Sequence, residues 1–99
     1  MKKSEYYQLL DLLKEIKGVD KMIKLHKADD SNFMLDQYKA KKQKLVSNFI
    51  DQLASPLLIS TKSIHTIKMA IDRFYGEEMK SYDQQTNNDE LAKLELALV

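Results

Sequence analysis

The chain contains no cysteine and no tryptophan, and only two glycines and one proline in 99 residues. Without cysteine there can be no disulfide framework, no thiol catalysis and no cysteine-based zinc site. So few glycines and prolines exclude a sandwich or barrel, which needs a turn every few residues, and favour a few long helices. Long apolar runs are also missing, so nothing in the sequence is suited to span a bilayer. Glu5 and Asp11 interrupt what would otherwise be a signal core behind Lys2 and Lys3. A cytoplasmic location, with no membrane partner, is therefore the expectation. Charge of one sign is missing too: sixteen basic against fifteen acidic residues leave a net +1, which gives no overall pull toward nucleic acid or anionic lipid.

What is present is apolar periodicity. At 100° per residue, Tyr6, Leu9, Leu12, Leu13, Ile16, Val19 and Ile23 fall on one arc, the pattern of an amphipathic helix over about 4–27. Leu35, Tyr38, Leu45, Val46, Phe49, Ile50 and Leu53 repeat it over about 33–54. Pro56 forces extended geometry on Ser55, so the second helix must stop near Ala54. Between the two helices, Asp29, Asp30, Ser31 and Asn32 are four capping residues in succession. Their short side chains compete with helix continuation and accept from the free N–H groups of the helix that follows. The spacing predicts a tight turn at 28–32 and an antiparallel, coiled-coil-like hairpin.

Such a turn brings level those positions whose numbers total about 62. Leu9 then lies beside Leu53, Leu13 beside Phe49, and Ile16 beside Val46. Asp20 and Lys42, the two charges near the middle of the apolar stripes, also come level. An interhelical ion pair that sets register follows as an expectation. Ser55-Pro56 suits a short helical turn, and Ser60 or Thr61 can cap a third helix over about 61–81. Its predicted stripe is Ile64, Ile67, Ala70, Ile71, Phe74 and Tyr75, running through Gly76. Residues 82–88 read as a linker. In 89–99, Leu91, Leu94 and Leu98 share a helical face, while Leu94, Leu96 and Leu98 alternate as in a strand. The expected fold is all-α: one domain, 1–99, with a hairpin, a third helix and a short C-terminal helical segment. That is a three- or four-helix bundle, completed if need be by dimerisation.

No enzyme signature is present. His26 and His65 lack ligand-spaced neighbours, and Glu77-Glu78, Asp29-Asp30 and Asp89-Glu90 diverge by 100° on a helix. Glycine-flanked nucleophiles and phosphate-cradling loops are missing. No catalytic residue, metal or cofactor is expected. Lys14, Lys17, Lys21 and Lys24 line one flank of helix 1, either as a phosphate track for nucleic acid or as a solvated edge of the seam. The basic run Lys39 to Lys44 scatters around its helix. Tyr7, Met22, Leu25 and Met69 point away from the stripes and suit a second contact surface.

The stretch 25–53, with Asp29-Asp30, Met34, Gln37-Tyr38 and Lys41-Lys42 ahead of its apolar heptads, resembles a hairpin of small bacterial proteins of unknown function from Bacteroidetes-type genomes. The resemblance implies a bacterial helical protein and assigns no active residue. Size and helix count are similar to those of bacteriocin immunity proteins, an analogy of fold alone. The function these residues point to is non-catalytic protein–protein interaction. The expected partner is a second copy, forming a homodimer through Leu9, Leu13, Ile16, Ile23, Leu45, Phe49 and Leu53, or another protein. Leu91, Leu94 and Leu98 would suit a peptide laid into a partner's groove. The alternative is a nucleic-acid accessory protein using the lysine track.

Overall fold

A computed structural model describes residues 1–27, 32–80 and 89–99. Its described residues form four helices and no strand: α1 (Lys3–Lys27), α2 (Asn32–Leu53), α3 (Thr61–Lys80) and α4 (Asp89–Leu98). The fold is all-α. The expected turn at 28–32 lies outside the described residues except for Asn32, which opens α2, and the expected linker at 82–88 lies wholly outside them.

The chain divides into two compact units, Met1–Lys68 and Met69–Val99. In the first, α1 packs along α2. Two cross-helix contacts show the direction. The His26 ring stacks on Tyr38 with centroids 5.2 Å apart, and Lys42 donates to Asp20 at 2.8 Å. Moving back along α1 means moving forward along α2, so the helices are antiparallel. Leu9, Ile16, Val19 and Ile23 from α1 and Val46, Phe49 and Leu53 from α2 are buried. Spacings of three and four keep each set on one face. Charge supports the ends of α1: Glu5 lies in its first turn and Lys24, His26 and Lys27 in its last, as the helix dipole prefers.

Tyr6 departs from its predicted stripe and is exposed. α2 ends at Leu53, three residues short of the level at which Tyr6 would meet a neighbour. After Leu53, Ala54 N–H still donates to Ile50 O at 2.8 Å. Ser55 O then accepts from Leu58 and Ile59 N–H at 3.0 and 2.9 Å, closing one short turn ahead of α3.

α3 begins on a reciprocal cap. Ser63 N–H donates to Ser60 Oγ at 3.1 Å while Ser60 N–H donates to Ser63 Oγ at 2.7 Å. This is the capping-box arrangement with serine at both positions, and it lets Ser63 be buried. The predicted face is kept except at its first position. Ser63, Ala70 and Phe74 are buried, Ile67 is half-buried, and Ile64 is exposed. Ile71 and Tyr75 are half-buried too, so of the predicted stripe Ile64 alone is exposed, with Ser63 buried one position before it.

In the second unit α3 continues through Gly76 to Lys80, but Tyr75 leaves helical geometry at φ −130°, ψ 20°. A kink beside glycine, the weakest helix former after proline, is the usual response to such a site. Residues 89–98 are helix rather than strand, with Ala92 half-buried and Leu91, Leu94, Leu96 and Leu98 exposed.

Candidate functional site

Antiparallel packing buries the middle of the hairpin and leaves one end open. Where α1 starts and α2 finishes, the turn 54–60 and the first turns of α3 come together around an apolar groove of about 390 Å³. α1 contributes Tyr6, Leu9, Leu10 and Leu13, α2 contributes Phe49 and Leu53, and the turn contributes Leu57 and Leu58. Met1, Ser60, Lys62, Ser63 and Thr66 complete the lining. The volume falls in the range of sites that take a ligand or a set of partner side chains.

The groove exists because of three sequence decisions. Pro56 stops α2 before it can cover Tyr6 and Leu10. The Ser55 turn projects Leu57, which is 92% exposed, beside the opening. The Ser60–Ser63 cap then restarts the helix close enough to form the far wall. Tyr6 and Tyr7, both exposed, lie with ring centroids 5.5 Å apart on the same end of α1. Ile59 and Ile64 are also exposed. Exposed apolar side chains scattered singly mean little, whereas a contiguous set around a concave surface marks a contact site.

The hairpin residues proposed from sequence as core or interface divide clearly. Leu9, Ile16, Ile23, Phe49 and Leu53 are buried within one copy, and Ile16 has no exposed surface. Leu13 and Leu45 are half-buried. A dimer seam along the hairpin middle would need these helices to separate first. Leu9, Leu13, Phe49 and Leu53 instead reach the groove with part of their surface.

Asp20 and Lys42 meet across the seam. The Lys42 side chain is 8% exposed and Asp20 18%, and Lys24 Nζ approaches the other Asp20 oxygen at 3.7 Å. The carboxylate thus faces two ammonium groups. The lysine track is only partly free as a result: Lys14, Lys17 and Lys21 are exposed, while Lys24, 74% exposed, leans toward Asp20. Tyr7, Leu25 and Met69 are exposed and Met22 is half-buried. Among the described residues no three His, Asp or Glu side chains converge as a metal site would require. No described helix is long and apolar enough to cross a membrane.

Two features escaped the sequence reading. The His26–Tyr38 stack had a signal, because their numbers total close to 62 and both rings lie at the turn end of the seam. The groove had none, since periodicity says nothing of how a turn after a proline folds back. No family model matches the chain, and neither a curated protein nor a solved structure matches it. The resemblance of residues 25–53 to bacterial hairpins therefore rests on those residues alone.

Proposed function

We propose that the chain is a non-catalytic protein-interaction module that self-associates, with the open-end groove as its docking surface. The observation that carries this reading is the groove itself: a concave apolar surface whose lining includes the exposed side chains of Tyr6 and Leu57 on an otherwise charged helical hairpin. Aromatic and aliphatic side chains that converge on a pocket, with a polar margin, are the usual anatomy of an interface core. A bacterial, cytoplasmic setting belongs to the same proposal.

The nucleic-acid reading is weaker. Three exposed lysines remain on the α1 flank once Lys24 turns to the seam, and the chain as a whole carries almost no net charge. Binding by a track of that size would fall steeply with salt.

Leu10 is the residue to change, because it lines the groove and is only half-buried in one copy. Leu10→Glu is expected to weaken self-association about 30-fold or more, the effect of losing an interface hot spot. Light scattering over a concentration series measures this, with circular dichroism to check that helix content is kept. An unchanged mass profile for the folded variant would rule the groove out as the docking surface.

A further inference from the structure

We draw no further inference here: the strongest candidate, the apolar groove at the open end of the α1–α2 hairpin, belongs to the docking surface already proposed, and nothing in the structure shows which segment covers it.

Discussion

Replacing Ile16 with alanine is expected to lower the stability of the chain by about 4 kcal/mol, near the top of the range for a buried isoleucine. Among the described residues Ile16 is the one large side chain with essentially no exposed surface, and it sits midway along the α1–α2 seam. Truncation removes three carbons' worth of burial, and the two helices on either side cannot collapse into the space without shifting Leu9, Val19 or Val46 as well. Domains of this kind are stable by only about 5–15 kcal/mol in total, so the variant will keep a small margin at best. Urea denaturation followed by helical circular dichroism measures it. A loss below about 1 kcal/mol would mean that the seam is loosely packed at its centre and that the burial of Ile16 counts for little.

The second large effect concerns charge rather than volume. Asp20→Ala is expected to cost about 2–3 kcal/mol, somewhat under the 3–5 typical of breaking a fully buried ion pair. The reduction follows from Asp20 being 18% exposed, which lets water in, and from the freedom of Lys42 to extend its stem toward solvent. The loss arises mainly because Lys42, at 8% exposure, loses the carboxylate that faces it across the seam. The pair's own contribution is different and smaller. Changing both residues together, Asp20→Leu with Lys42→Leu, should restore stability to wild-type level or above, since apolar replacements of buried ion pairs are commonly neutral or stabilising. What the double variant should lose is register: without the pair, neighbouring alignments of two leucine-rich stripes differ less in energy. Thermal unfolding of the single and double variants separates these statements. A single variant as stable as the wild type would show that the pair is an incidental surface contact.

These effects explain why much of the hairpin could be read from the sequence. Leu9, Ile16, Ile23, Phe49 and Leu53 recur at three and four because that spacing keeps a helix face in the seam, and the spacing survives into the buried set. Asp20 and Lys42 were legible for a related reason. A charge inside an apolar stripe must find a partner, and an antiparallel hairpin leaves few positions level with it.

The start of the third helix was harder, because apolarity is an imperfect proxy for burial. Ser63 is buried because Ser60 satisfies its hydrogen bonding locally, whereas Ile64, apolar but one position round the helix, faces out. Tyr6 failed for want of a neighbour, since its stripe outlasts the helix it pairs with. The groove depends on how residues 54–60 fold between two helices, which is settled by backbone hydrogen bonds to Ser55 and by Pro56 rather than by any period. Of the residues read as core or interface, Leu9, Ile16, Ile23, Phe49 and Leu53 are buried within one copy, and Leu13 and Leu45 are half-buried.

Both the seam and the groove depend on α2 running back along α1 in one alignment. Nuclear Overhauser spectroscopy on the native chain reads that alignment without any substitution. With ring centroids 5.2 Å apart, His26 and Tyr38 should give cross-peaks between their ring protons, accompanied by contacts between Leu13 and Phe49 at the groove. Sequential helical connectivities running unbroken from Lys27 to Phe33, with no cross-peak between those rings, would contradict the account.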